Sequence, residues 1–324
     1  MISIVIKLIS LISLALTLAA CEPEPKNIVT VGTNIWPDYQ TLYLARSLGA
    51  FDYQPVKLIE MPSSTETALA FRNGSLDVAG LTLDEVLTLL QYDPSLKIIL
   101  VMDVSRGADV LLAKPEIDSL EKLKGKLIGV ENTAVGAILL QGALQAADLS
   151  VADIDIRPIT FDRHESAFTE GLIDAIVTFE PIKSKLLRLG AKQLFDSSRI
   201  PGHIVDVLVT RQTVIDRYPD ALKTIVAGHF KAMTYLREHP EDAVVQIGSN
   251  MDMAPALVSE QLKGMELPDL VTTRQWLNGE TPALNAPLAV LETLMLEQGL
   301  LFKLIDASRL IDASLLSPSQ DQKF

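Results

Sequence analysis

From Ile28 onward, short runs of consecutive Val, Ile and Leu alternate with longer stretches whose apolar residues recur at helical spacing. Short continuous apolar runs read as strands buried on both faces, and the periodic stretches read as helices. The pattern predicts strands at Ile28–Thr33, Val56–Met61, Leu76–Leu81 and Lys97–Ser105, separated by helices at Leu42–Leu48, Thr65–Asn73 and Asp84–Tyr92. A second set of strands is predicted at Leu127–Glu131, Asp155–Thr160, Ile173–Phe179 and Lys192–Phe195. Its helices are predicted at Val135–Leu149, Glu165–Glu170 and Pro181–Leu189. Such alternation implies α/β architecture with parallel sheets covered by helices.

Two apolar extended segments, Asp109–Ala113 and Ile204–Thr210, bracket the second set. One lobe inserted into another, with two crossings as hinge, fits that order. The reading divides the chain into lobe 1 at residues 28–108 plus 209–316 and lobe 2 at residues 109–208, with a polar, disordered tail at 317–324. Beyond Pro219 the pattern is almost wholly helical, most clearly at Ala221–Arg237, and this part is expected to pack on the first lobe.

The first residues carry an address rather than a fold. Lys7, the apolar run Leu8–Leu18 and small residues up to Ala20 form a secretory signal pattern over residues 1–20. The run ends Leu18-Ala19-Ala20-Cys21, which resembles a bacterial lipobox and implies cleavage before Cys21 and its acylation. Two chains on one residue anchor a protein stably to a bilayer where one is marginal. Residues 21–27 would then be a lipidated tether. The expected location is the cell envelope, facing the periplasm, or the outer surface of a cell with one membrane.

Composition narrows the function. Cys21 is the only cysteine, so an intrachain disulfide and a cysteine-based zinc site are excluded. A formal net charge of −13 argues against nucleic acid, which needs clustered Lys and Arg. The mean hydropathy of +0.27 owes part of its value to the leader. No later stretch approaches the roughly 18 apolar residues of a spanning helix. There is no G-x-S-x-G elbow, H-E-x-x-H helix or P-loop, and nothing singles out a carboxylate pair. No enzyme activity, cofactor or metal is expected, and the chain reads as a monomer.

Ligands in open α/β sheets bind beyond the carboxyl ends of strands, near helix N-termini. Three such ends carry capping patterns: Ser63-Ser64-Thr65-Glu66, Thr82-Leu83-Asp84-Glu85 and Asp162-Arg163-His164-Glu165. Each can anchor a carboxylate or sulfonate, or simply cap its helix. Trp36, in a loop forced by Pro37, can stack on a planar group and donate from its indole nitrogen. Glu180 follows a buried strand and either caps the next helix or accepts from a ligand amine. Asp206 is a carboxylate in an apolar strand and needs a partner, at the hinge or in the cleft. His229 and His239 are expected to face solvent.

These segments resemble a known family. Val31-Gly32-Thr33-Asn34-Ile35-Trp36-Pro37, Leu42-Tyr43-Leu44-Ala45-Arg46, Pro62-Ser63-Ser64-Thr65-Glu66, Phe71-Arg72-Asn73-Gly74 and Leu76-Asp77-Val78-Ala79 open the match. Leu123–Val130 and Gly171–Val177 continue it. In that order they are similar to NMT1/THI5-like solute-binding proteins of the nitrate, sulfonate, taurine and thiamine-precursor type. The resemblance implies a type II periplasmic-binding-protein fold that closes around one small solute and serves an ABC permease in the inner membrane. By that analogy the cleft takes residues from the loops holding Trp36, Ser63, Ser64, Thr65, Thr82, Ser105, Thr133 and Glu180. A sulfonate, aminosulfonate or pyrimidine-like solute fits; the acidic rim favours a ligand with a donor side. Two alternatives stay open: a ligand sensor presenting its bound state to a membrane receptor, and a thiamine-precursor enzyme.

Overall fold

The computed structural model describes residues 28–316. The leader, Cys21, the tether and the tail therefore lie outside the described residues. Two sheets form the frame. The first contains β1 (Val29–Thr33), β2 (Val56–Glu60), β3 (Val78–Thr82), β4 (Leu96–Ser105), β10 (Val205–Arg211) and the short β11 (Met265–Glu266), in the order β11-β4-β10-β3-β1-β2. The second contains β5 (Val110–Ala113), β6 (Leu127–Val130), β7 (Asp155–Pro158), β8 (Ala175–Thr178) and β9 (Lys192–Asp196), in the order β7-β6-β8-β5-β9.

The sheets are not purely parallel. β2, β1 and β3 run parallel, as do β7, β6 and β8. β10 is antiparallel to β3 and β4, and β5 is antiparallel to β8 and β9. The cause is the double crossing. The chain leaves the first sheet at the carboxyl end of β4 and enters the second as β5, then returns from β9 into β10. A strand that enters from the cleft side must run against the neighbours that end there. Val205–Leu208, which the sequence pattern assigns to lobe 2, thus pair inside the first sheet.

Helices α1 (Gln40–Ser47), α2 (Ser64–Arg72) and α3 (Leu83–Leu90) cover the first sheet; α4 (Ala134–Gln145), α5 (His164–Thr169) and α6 (Ile182–Arg188) cover the second. Seven of the nine residues in the β3 and β5 spans are apolar, and all but Thr82 are buried, as strands covered on both faces require. Sheet two is sandwiched: Leu111, Val177 and Leu139 share one core, while Val110, Ile176 and Leu186 share the opposite one.

The chain after β10 is helical: α7 (Gln212–Arg217), α8 (Pro219–Glu238), α9 (Pro240–Asn250), α10 (Pro255–Leu262), α11 (Leu270–Leu277) and α12 (Asn285–Glu297). Pro219, Pro240 and Pro255 each open their helix where a missing N–H costs nothing. This part packs on the first sheet's side: α8 and α9 lie on α1, α12 on α3, and Ile98 N donates to Leu310 O at 2.7 Å. His229 corrects the sequence expectation. It is fully buried under α1, with Nδ1 2.9 Å from Thr41 Oγ1, because its position on α8 falls on the stripe facing the core. His239 is exposed. Among the described residues no helix is long and apolar enough to cross a membrane.

Candidate functional site

A cavity of about 30 Å3 lies where the two sheets' carboxyl ends face each other. From the first lobe come Asn34 and Trp36 after β1, Ser64 opening α2, Thr82 and Glu85 at the start of α3, and Asp206 on β10. From the second come Glu131 and Thr133 after β6, Val135 in α4 and Phe179 after β8. Asp109 and Ile204 belong to the two crossings. The lobes touch across this space. Thr65 Oγ1 donates to Glu131 Oε1 at 2.8 Å, and Val135 N donates to Asp84 Oδ2 at 2.9 Å. Trp36 meets Phe179 edge-on with ring centroids 5.5 Å apart, and Phe179 stacks on Phe161 at 4.1 Å.

Each wall residue is fixed by local structure. Trp36 is 4% exposed. Its Nε1 donates to Asp103 Oδ2 at 2.6 Å and its backbone N to Asn34 Oδ1 at 3.2 Å, while Asn34 Nδ2 donates to Ser64 Oγ at 2.6 Å. An intramolecular hydrogen bond contributes about 0.5–1.5 kcal/mol, and two of them hold this residue in one orientation. Asp206 Oδ1 accepts from the Tyr39 hydroxyl at 2.5 Å. Tyr39 reaches it by lying flat over Gly80, where a Cβ would sit 2.7 Å from the ring. The helix starts are already capped. Ser63 Oγ accepts from Glu66 N at 3.1 Å, Glu85 Oε2 from Thr82 N at 3.1 Å, and Thr133 Oγ1 from Gly136 N at 3.3 Å.

The electrostatics are one-sided. Glu85, Asp109, Glu131 and Asp206 line the cavity, and Asp38, Asp84 and Asp103 are buried around it. Among the described residues no Lys or Arg lines it. Removal from water and mutual repulsion raise these carboxyls. Burial pushes Asp109 up to about 7, against the hydrogen bond from Ser105, with Asp84 adding repulsion. Burial alone pushes Asp38 to about 8. Asp103, Asp206 and Glu85 are held well above the usual range, first by burial and then by carboxylate neighbours. Burial also raises Asp84 and Glu131, partly offset by their hydrogen bonds to Val135 and Thr65. One oxygen each of Asp103 and Asp109, and both of Asp38, have no hydrogen-bond partner. Among the described residues no group of three or more His, Cys, Asp or Glu is placed to hold a metal ion.

Of the residues marked in the sequence, Trp36, Ser64, Thr82, Thr133 and Asp206 meet on the cavity wall. Ser63 caps α2, and Thr65 bridges the lobes beside the wall. Ser105 and Glu180 stand elsewhere. Ser105 Oγ lies 2.7 Å from Ser197 Oγ and ties one crossing to the other. Glu180 serves its own helix: it accepts from Ser184 N at 3.1 Å and Ser184 Oγ at 3.0 Å, with Lys183 Nζ at 3.4 Å. The third capping pattern is not one. A short turn at Phe161–Arg163 leads into α5 with no side-chain cap, and His164 is buried between Thr178 and Ile159. Asn34, Glu85, Asp109, Glu131, Val135, Phe179 and Ile204 were not singled out as site residues. The available signal was position: Glu131 and Phe179 are the last residues of predicted strands, and Asp109 opens a predicted crossing.

Comparison with known proteins adds the family. Residues 22–247 match the NMT1-like family. A Brucella abortus protein, named as binding but without a ligand, is 26% identical over 145 residues, 42% of this chain and 44% of that protein. The chain thus aligns with less than half the length of the curated relatives it matches. The periplasmic aliphatic sulphonate binding protein of Escherichia coli superposes with a TM-score of 0.71 at 18% identity, over 88% of this chain and 92% of that one. The ligand binding component of an ABC-type import system from Staphylococcus aureus gives 0.76 at 14%, over 92% and 100%. A desulfurization enzyme gives 0.65 at 14%, over 90% and 98%, so this fold houses both binders and a catalyst. With well over half of its residues matched in sequence and the two-lobed α/β fold in place, the chain belongs to the NMT1-like family.

Proposed function

We propose that this chain is the solute-binding component of an ABC importer, which captures a small organic solute between its lobes and hands it to a membrane permease. One observation carries the reading: a cavity lined by both lobes and by both crossings, with the lobes in hydrogen-bonded contact across it. A ligand that touches both lobes favours their closed arrangement by its differential affinity, and a permease can read that arrangement. The named functions of the Escherichia coli and Staphylococcus aureus proteins support the same role. The Leu18-Ala19-Ala20-Cys21 run supports export and a lipid anchor at Cys21, placing the chain in the cell envelope and facing the periplasm.

The test is functional. Membranes carrying a candidate ABC permease and its ATPase are mixed with the purified chain and with solutes that stabilise it. ATP hydrolysis rising only when chain and solute are both present is the expected result. Chemical turnover of the solute by the chain alone, or no stimulation by the loaded chain, contradicts the proposal.

A further inference from the structure

We infer that the interlobe cleft selects an organic cation, a protonated amine or amidinium borne on a compact flat or apolar body, and rejects sulfonates and other oxyanions. The inference rests on the cleft being the solute site and names what enters it.

Four carboxyl groups, Glu85, Asp109, Glu131 and Asp206, reach the cavity from different elements of both lobes. Nothing basic on the wall answers them. Lys183 stands behind the wall and its charge draws Asp109 down, but its Nζ is engaged: it donates to Gly107 O at 3.0 Å and stands 3.4 Å from Glu180 Oε1. Asp109 supplies a second, separate observation. It is 4% exposed, lines the cavity, and its Oδ2 has no partner. A buried acceptor without a donor is costly, and a ligand N–H removes that cost.

Two of the helix starts where an oxyanion would bind are filled. Anions favour helix N-termini, yet α4 receives the Asp84 carboxylate from the opposite lobe at Val135 N, and α3 receives Glu85 at Thr82 N. A sulfonate entering here would meet four carboxyl groups and no lining Lys or Arg. The rings of Trp36 and Phe179, and the side chains of Val135 and Ile204, offer an apolar or aromatic surface to the rest of the ligand, and an aromatic face also attracts a cation. A bare metal ion does not fit, because among the described residues the carboxylates do not gather three or more donors at one point.

The test uses three compounds that share one ring and differ in charge: benzamidine, benzamide and benzenesulfonate. Putrescine, nitrate, magnesium chloride and zinc chloride complete the panel. Melting of the full chain and titration calorimetry at pH 8 are the readouts. Benzamidine or putrescine should raise the melting temperature, benzamidine should bind at least tenfold more tightly than benzamide, and benzenesulfonate and nitrate should do nothing. Asp109→Asn and, independently, Glu131→Gln should weaken the cation at least tenfold while melting no lower than the parent chain. Preference for benzenesulfonate, nitrate, benzamide or a metal salt overturns the cation assignment and leaves the solute-binding role standing. Cation binding unchanged in both variants overturns the placement. Silence from every compound overturns both.

Discussion

At the residue scale, the molecule is defined by carboxyl groups kept from water. Their titration gives stability a direction. An acid whose folded pKa is raised binds protons more tightly in the folded state, so folding loses stability as pH rises through that pKa. Asp109 at about 7 and Asp38 at about 8 do this near neutrality. Two buried histidines act oppositely but lower down: burial drops His164 to about 4 and His229 to about 3, so they cost stability only below their ordinary value of 6.5. Between pH 6.5 and 8.5 the acids therefore dominate. Each pKa unit is worth about 1.4 kcal/mol, and 1 kcal/mol moves the melting temperature of a chain this size by about 1.5–2 °C. The ligand-free chain should melt at least about 4 °C lower at pH 8.5 than at pH 6.5, and Asp109→Asn should shrink the difference. A flat profile in calorimetry would remove the buried-carboxylate account. This residue scale was where sequence was least informative. Asp206 in an apolar strand declared itself, but Asp109 and Glu131 look like ordinary loop acids until two distant segments are brought together. Glu180 was readable either as a cap or as a ligand acceptor, and its partners Ser184 and Lys183 sit on its own helix.

At the element scale, strand ends and helix starts do the positioning, and local pattern predicts them well. Continuous apolar runs marked nearly every strand, and the Ser63 and Thr82 patterns marked two of the helix starts that meet at the cleft. Direction was not legible. Apolar runs look alike whichever way they travel, so the antiparallel placement of β5 and β10 follows only from the crossings. The register of a tyrosine on a glycine is equally silent in sequence. Gly80 on β3 is where Tyr39 lies, so Gly80→Ala should drive the ring off by overpacking and release its hydroxyl from Asp206. We expect a loss of about 1–3 kcal/mol in urea unfolding. In a double-mutant cycle with Tyr39→Phe the two losses should fall short of additive, because both act on one contact. Full additivity would show that the ring and the glycine are independent.

At the scale of the whole molecule, two lobes joined by two crossings form one clamp. The crossings are tied together by Ser105 and Gly107, which both bond Ser197 Oγ, while contacts between the lobes include Thr65 with Glu131, Asp84 with Val135, and Trp36 with Phe179. Two lobes joined by a pair of crossings suit a body that opens and closes as a unit. The repeated alternation of strands and helices, and the two extended segments around the second set, made this division readable. Its second boundary, drawn after residue 208, cuts through β10, whose Val205–Leu208 pair in the first sheet with the rest of the strand. The most direct test of the clamp is the distance between lobes. With Cys21 replaced by Ser, spin labels at Tyr53→Cys and Val151→Cys, exposed positions on opposite lobes, report it by double electron–electron resonance. The account predicts a broad distribution without solute that collapses onto its short-distance edge when the tightest-binding compound of the panel is added. An identical distribution with and without a bound compound would contradict it.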